Sequence, residues 1–147
     1  MKKKYVTVDQ FIKFGPCYGA DGVRDIAGKK KRFTAMDVLK MEDIPAADRL
    51  WAVLREEFID APILHEFACL CAENALKLVD KPDPRSVSAI ETKRRWLRGD
   101  ATDEELEAAS AAASAAARAD ASAAARAAAR AAAKAAQIKL LIDMLEP

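Results

Sequence analysis

The sequence is short of the residues on which disulfide-rich and nucleic-acid-binding proteins depend. Its three cysteines, Cys17, Cys69 and Cys71, are too few for a disulfide framework, so we expect reduced thiols and a cytoplasmic protein. The formal net charge is only +1, which excludes a strong field that would attract nucleic acid or an anionic membrane. Aromatic residues make up 6% of the chain, so the core has to come from the apolar residues before Gly99 and after Gln137.

Long uncharged apolar stretches are also absent. Met1-Lys2-Lys3-Lys4 is basic, but no long apolar run follows it as in a signal peptide. The alanine-rich run contains charged side chains that a membrane span would have to place in hydrocarbon: Arg118, Asp120, Arg126, Arg130 and Lys134. The basic residues among them lack the interleaved aromatics typical of a nucleic-acid surface. We therefore expect neither a membrane nor a nucleic acid as a partner.

What the sequence has in abundance is alanine, between Glu107 and Ala136. Alanine loses no side-chain entropy on folding, so this run predicts a helix. Thr102 to Glu105 is a capping box at its start, and no glycine or proline follows before Pro147. A continuous helix over 103–145 would be roughly 65 Å long. We favour that helix over a break at Asp120-Ala121-Ser122, where aspartate and serine compete with helix by local capping.

The flanks of the alanine run predict that it packs against other helices. Leu106 precedes it and the apolar segment Ile138 to Leu145 follows it, and an apolar end left in water would promote aggregation. Burying both ends keeps the run near the protein body or near a second copy. We therefore assign 1–99 to a helical domain. Residues 100–147 form a long alanine-rich helix that packs on this domain or makes a homo-oligomer.

Proline and capping residues mark short helices in the first two thirds of the chain. Thr7 to Gln10 is a capping box, Thr34 caps a short helix, and Pro45 stands at the first position of another. Pro62 and Pro84 repeat the proline signal for the two helices that follow. No segment alternates with period two over a useful length, so we predict no sheet. The predicted fold is all-α, a bundle of short helices packed with one long alanine-rich C-terminal helix.

The helix that follows Pro62 is predicted to be the central one. Its apolar residues cover more than half of its circumference to about Val79, and Phe67 lies among them. The preceding helix, predicted over Ala46 to Glu57, also has a broad apolar face. We expect its Trp51 to be buried against the helix that carries Phe67.

Several motifs follow one another in an order that is found in a known family. They are Phe14-Gly15-Pro16-Cys17, Asp43-Ile44-Pro45-Ala46, Leu50-Trp51-Ala52-Val53-Leu54-Arg55, Phe67-Ala68-Cys69-Leu70-Cys71-Ala72, Asp83-Pro84-Arg85-Ser86 and Gly99-Asp100-Ala101-Thr102-Asp103-Glu104-Glu105-Leu106. With these motifs and the alanine run, nearly the whole chain resembles the alanine-rich "putative immunity proteins" with an immunity-five-like domain, which occur in bacteria and phages. The resemblance implies no catalytic residues and no cofactor. It implies an interaction protein that binds and neutralises a protein partner, a toxin or a defence component.

Arginines on the helices flanking the predicted central helix offer an alternative function. Arg55, Glu91, Arg94 and Arg95 lie on these helices, and Arg85 lies in the first turn of the second. Arginine binds phosphates and carboxylates through two parallel hydrogen bonds. The set could therefore line a pocket in which a phage protein sequesters a nucleotide signal. The other interpretation, which we favour, is an ion-pair network between helices.

The single histidine, His65, shares a helix stripe with Cys69 and Glu73 at four-residue spacing. Three ligand types on one face resemble the beginning of a zinc site, but one helix rarely completes four-coordinate geometry. A cysteine–histidine nucleophile pair would also need an oxyanion hole and an orienting group, for which the sequence offers no candidates. We therefore expect a helix face with a buried thiol, no structural metal and no enzyme.

Overall fold

The computed structural model describes residues 2–119 and 123–146 of the chain. Within these ranges it has eight helices and one short pair of strands, so the all-α prediction is confirmed. The strands are β1 (Val6–Thr7) and β2 (Arg32–Phe33). The helices are α1 (Val8–Lys13), α2 (Gly19–Ala27), α3 (Ala35–Leu39), α4 (Ala46–Val53), α5 (Ala61–Leu76), α6 (Pro84–Leu97), α7 (Asp103–Ala119) and α8 (Ala123–Leu145).

The prediction that the chain forms no sheet is wrong at one place. Strands β1 and β2 pair antiparallel, with Val6 opposite Phe33 and Thr7 opposite Arg32. Each strand has two residues, too few for period-two alternation to show in a sequence. Val6 is buried, so the strand pair fixes the beginning of the chain to the core.

Side-chain caps begin three helices where the sequence predicts them. In each case a threonine hydroxyl accepts from a backbone N–H three residues later, and the later side chain accepts from the threonine N–H. The three pairs are Thr7 with Gln10 before α1, Thr34 with Asp37 before α3, and Thr102 with Glu105 before α7. The local sequence therefore fixes where these helices begin.

Helix α4 ends at Val53 instead of at the predicted Glu57. Arg55 folds back at this end, where its Nε donates to the Ala52 carbonyl and its Nη2 to the Trp51 carbonyl, both at 3.1 Å. The last carbonyls of a helix lack partners within the helix. The Arg55 side chain supplies such partners and so stabilises the end of the helix.

The chain groups into two compact units. The first combines Met1–Leu64 with Lys134–Pro147, and the second is His65–Ala133. Helices α5 and α8 each have residues in both units. The division of the sequence into 1–99 and 100–147 stays a prediction.

The core of the first unit draws on both of its segments. Leu39, Val53 and Ile59 are fully buried, and so is Leu141 from the second segment. Apolar surface removed from water contributes about 25 cal/mol per Å² to stability. The first unit therefore depends on residues that lie far apart in the sequence.

Trp51 is 44% exposed, so the prediction that it is buried is wrong. Helix α4 buries Leu50 and Val53, which lie three residues apart on one face. Each residue turns the helix by about 100°, and this rotation places Trp51 on a different face. Its ring instead packs edge-to-face on Phe11, with ring centroids 6.2 Å apart.

The second unit is built on the pair of helices α6 and α7, which pack against each other. Gly99, at a φ of 82°, makes the turn between them, because this left-handed conformation is unfavourable for residues with a Cβ. Trp96 Nε1 donates to Asp103 Oδ1 at 2.6 Å across the turn. Ala116 on α7 is only 2% exposed. In this half of the alanine run, α7 therefore packs against α6, while the close packing of the whole run stays a prediction.

Helix α5 contributes buried Phe67 and Cys69 to the second unit. The helix ends at Leu76, three residues before the predicted end at Val79, and Leu78 in the following segment is highly exposed. The candidate break at Asp120-Ala121-Ser122 lies outside the described residues.

Candidate functional site

The predicted site residues fall in both units. Arg55 belongs to the first unit, whereas Arg85, Glu91, Arg94 and Arg95 belong to the second. The contacts described below are those within each unit.

The Arg55 guanidinium, just after the end of α4, stacks on two aromatic rings. Its guanidinium carbon is 4.2 Å from the centroid of the Trp51 ring and 4.5 Å from that of Phe14. Arginine stacks favourably on aromatic faces, and its planar fork loses less freedom per hydrogen bond than a lysine would. With its two backbone hydrogen bonds, the Arg55 guanidinium is held in one orientation.

Leu54, which precedes Arg55 in the sequence, is 41% exposed. We call Phe14, Trp51, Leu54 and Arg55 the aromatic–arginine patch. It rests on Phe11, whose ring packs edge-to-face on that of Phe14 with centroids 5.8 Å apart. The patch thus combines exposed apolar surface with an oriented positive charge on a packed base.

In the second unit, Arg94 joins α6 to α5. Its Nε donates to Glu73 Oε1 at 2.7 Å, and its Nη1 lies 3.0 Å from Glu66 Oε2 and 3.2 Å from Glu66 Oε1. The hydrogen bond from Arg94 holds the pKa of Glu73 below its ordinary value, and the same pairing raises the pKa of Arg94. Arg94 therefore forms the ion pair between helices that the sequence favours, with partners on α5.

The other predicted residues of the second unit have their own surroundings. Arg85 Nε and Nη2 donate to the two carboxylate oxygens of Asp83 at 3.0 and 2.8 Å, which lowers the pKa of Asp83 to about 2. Arg95 Nη2 donates to the Asp100 carbonyl at 2.7 Å. Glu91 is exposed. Arg85 and Arg95 are therefore engaged close to the two ends of α6.

The stripe of His65, Cys69 and Glu73 has contacts that do not involve a metal. The His65 ring packs edge-to-face on that of Trp96, with centroids 5.4 Å apart, while Glu73 accepts from Arg94. Burial raises the pKa of the Cys69 thiol. Among the residues that the structure describes, no three His, Cys, Asp or Glu side chains come together in an arrangement that could hold a metal ion.

Two features of the structure were not anticipated from the sequence. Glu66 pairs with Arg94; the available signal is its seven-residue spacing from Glu73, which places both carboxylates on one face of a helix. Tyr18 Oη donates to Asp48 Oδ2 at 2.7 Å. This contact joins residues 30 positions apart, and no local pattern indicates it.

Comparison with known proteins gives one family. Residues 60–139, more than half of the chain, match the family model described as Imm-5 like putative immunity protein. No curated protein and no solved structure matches the chain. In the part of the chain that the structure describes, no helix is both long enough and apolar enough to cross a membrane. The matched segment confirms the resemblance drawn from the motifs, and the chain belongs to the Imm-5 like putative immunity protein family.

Proposed function

We propose that this protein is a non-catalytic interaction protein that binds and neutralises a protein partner, a toxin or a defence component, in bacterial or phage conflict. Membership of the immunity family supports the immunity role. The observation that carries the choice of a protein partner is the aromatic–arginine patch of the first unit.

The patch has the composition of a binding hot spot. Tryptophan and arginine are enriched among the few residues that supply most of the free energy of protein association. The exposed Trp51 ring presents a large apolar surface. Because Arg55 is already held by this ring and by two carbonyls, little side-chain entropy remains to be lost when a partner binds.

The contacts also indicate the chemistry of the partner. Arg55 Nη1 donates to no residue within the described ranges, so it is available to a carboxylate. A carboxylate that accepts from a guanidinium makes a hydrogen bond about twice as strong as a neutral one. We therefore expect the partner to offer an apolar pocket for Trp51 beside an acidic side chain.

The experiment starts with crosslinking and capture of the partner from the native host. Its dissociation constant is then measured for the wild type and for Trp51→Ala. Hot-spot truncations typically cost about 2 kcal/mol or more, so we expect at least about 30-fold weaker binding.

Tyr5→Ala is the matched control. Tyr5 is similarly exposed in the same unit, and Arg32 lies over its ring at 4.4 Å. This variant should bind the partner as the wild type does. Unchanged affinity of Trp51→Ala, or equal losses in both variants, would remove the patch from the interface.

The alternative of a nucleotide-sequestering pocket lined by arginines stays a prediction. It receives no support from Arg94, whose donors already bind Glu66 and Glu73. Mass spectrometry of small molecules released from the denatured protein tests it directly. Homo-oligomer formation and a cytoplasmic location also stay predictions.

A further inference from the structure

The first unit contains a cavity of about 460 Å³ between α1, α2, α3 and α4. This volume is within the range of small-molecule sites, about 300 to 1,000 Å³. Most of its lining is apolar, including Val23, Ile26 and Met41. Sites of this kind bind the body of a ligand through apolar contacts and orient it through a few polar groups.

Aromatic rings form much of the wall. They belong to Phe11, Tyr18, Phe33, Trp51 and Phe58. The Phe11 ring packs edge-to-face on both Trp51 and Phe58, at centroid distances of 6.2 and 6.5 Å. The faces of aromatic rings carry partial negative charge and attract cations. The wall therefore suits an aromatic body, and protein cations already lie over two of its rings, Arg55 over Trp51 and Lys30 over Phe33.

Among the described residues that line the cavity, the one carboxylate belongs to Asp48, in the first turn of α4. The Tyr18 hydroxyl donates to its Oδ2 at 2.7 Å and thereby orients the group. Within the described ranges, the other oxygen, Oδ1, accepts from no side chain and no backbone N–H. This oxygen offers an acceptor to a ligand in the cavity.

We propose that this cavity is a binding site for a small organic ammonium compound with an apolar, preferably aromatic, body. The ammonium group donates to Asp48 Oδ1, and the body lies among the aromatic rings. None of the arginines named above is among the described residues that line the cavity, although Arg55 stacks on the Trp51 ring of its wall.

Lys134 is the other charged residue of the lining. Lys134 and Asp48 both line the cavity, but their opposite charges do not form an ion pair with each other. The Lys134 ammonium is carried on a flexible stem that can reach solvent. Lys134 therefore defines the competing possibility, an anionic ligand, which the experiment has to distinguish.

The test compares three compounds that share a phenyl ring and a short chain: phenethylamine, phenethyl alcohol and hydrocinnamate. Calorimetric titration into the full chain gives their dissociation constants. We expect phenethylamine to bind about tenfold more tightly than the alcohol, because a hydrogen bond to a charged group contributes more than a neutral one. Hydrocinnamate should bind most weakly.

Asp48→Asn should remove the preference for the amine and leave the affinity for the alcohol unchanged. Asp43→Asn is the matched control, since Asp43 is exposed and does not line the cavity, and it should keep the preference. Ala47→Leu reduces the cavity and should weaken all three compounds, which keeps the proposal testable if Asp48→Asn fails to fold.

Three results would overturn the proposal. One is tightest binding of hydrocinnamate with loss of that binding in Lys134→Met. Another is equal binding of the three compounds. The third is the absence of saturable binding by any of them.

Discussion

At the scale of single residues, Arg94 and Glu73 show how one ion pair makes stability depend on pH. The Arg94 guanidinium lies 2.7 Å from Glu73 and holds the pKa of this carboxyl below its ordinary value. A carboxyl whose folded-state pKa is lowered adds stability at pH values above its unfolded pKa. This stability is lost as the pH falls through the folded-state pKa.

Glu73→Gln should therefore lower the melting temperature at neutral pH. The difference from the wild type should shrink below about pH 4, where the unfolded carboxyl becomes protonated. Circular dichroism melting curves over a pH series measure both effects. Because the Glu73 side chain is partly exposed, the effect at neutral pH is expected to be small.

Glu91→Gln serves as the control, because Glu91 is exposed on α6 and forms no ion pair in the described part of the chain. Its melting temperature should follow that of the wild type at every pH. A gap between Glu73→Gln and the wild type that persists at low pH would mean that the pair with Arg94 is not its cause.

At the scale of the elements, α7 packs closely on α6, so we expect a larger side chain at a buried position of α7 to destabilise the protein. Ala116 is buried, whereas Ser114 is exposed on the same helix. An added side chain at a well-packed position typically costs about 1–3 kcal/mol. Ala116→Leu should lower the free energy of unfolding by this amount, measured by urea denaturation.

Ser114→Lys adds an even longer side chain on the exposed face and should be nearly neutral. Equal and small effects of the two substitutions would show that α7 does not pack closely. The side chain of Ala128, at which the sequence suggests the same test, lies outside the described residues.

The beginnings of the helices could be predicted from the sequence because the groups that fix them are neighbours. Thr7 and Gln10 are three residues apart, and so are Thr102 and Glu105. The end of α4 could not be predicted in this way, because it depends on hydrogen bonds from the Arg55 side chain to carbonyls of the previous turn. Pattern reasoning extends an apolar helix until a glycine or proline interrupts it.

The candidate sites could be predicted only in part, because their contacts join residues that are far apart in the sequence. Arginines on flanking helices suggest ion pairs, and Arg94 forms them, but its partners follow from the packing of α5 on α6. The contact of Tyr18 with Asp48 depends on tertiary structure alone. The exposure of Trp51 depends on which face of a short helix is buried, and its two immediate neighbours in the sequence, Leu50 and Ala52, are both apolar.

At the scale of the whole molecule, the first unit is stabilised by residues near both ends of the sequence. Leu141 is fully buried in it, and Lys40 Nζ lies 3.3 Å from Glu146 Oε1. Replacing a buried leucine by alanine typically costs about 2–5 kcal/mol. Leu141→Ala should therefore destabilise the first unit, although residues 35–59 are about a hundred positions away.

Hydrogen exchange with mass spectrometry measures this effect by region. In Leu141→Ala, exchange should accelerate in residues 35–59 more than in residues 84–117 of the second unit. Lys139→Ala, at an exposed position on the same helix, should leave both regions unchanged. Faster exchange confined to α8 would show that the first unit is stable without Leu141.

The division of the first unit between two distant segments also sets the order in which the two units can fold during synthesis on the ribosome. The second unit is one uninterrupted stretch, His65–Ala133, whereas the first lacks part of its core until the segment after Lys134 has been synthesised. A nascent chain folds as its domains emerge, and apolar surface that waits for its partner is prone to aggregation. We therefore expect the N-terminal helices, though made first, to complete their core only after α8 has been synthesised, and to be open to chaperones that bind exposed apolar segments until then.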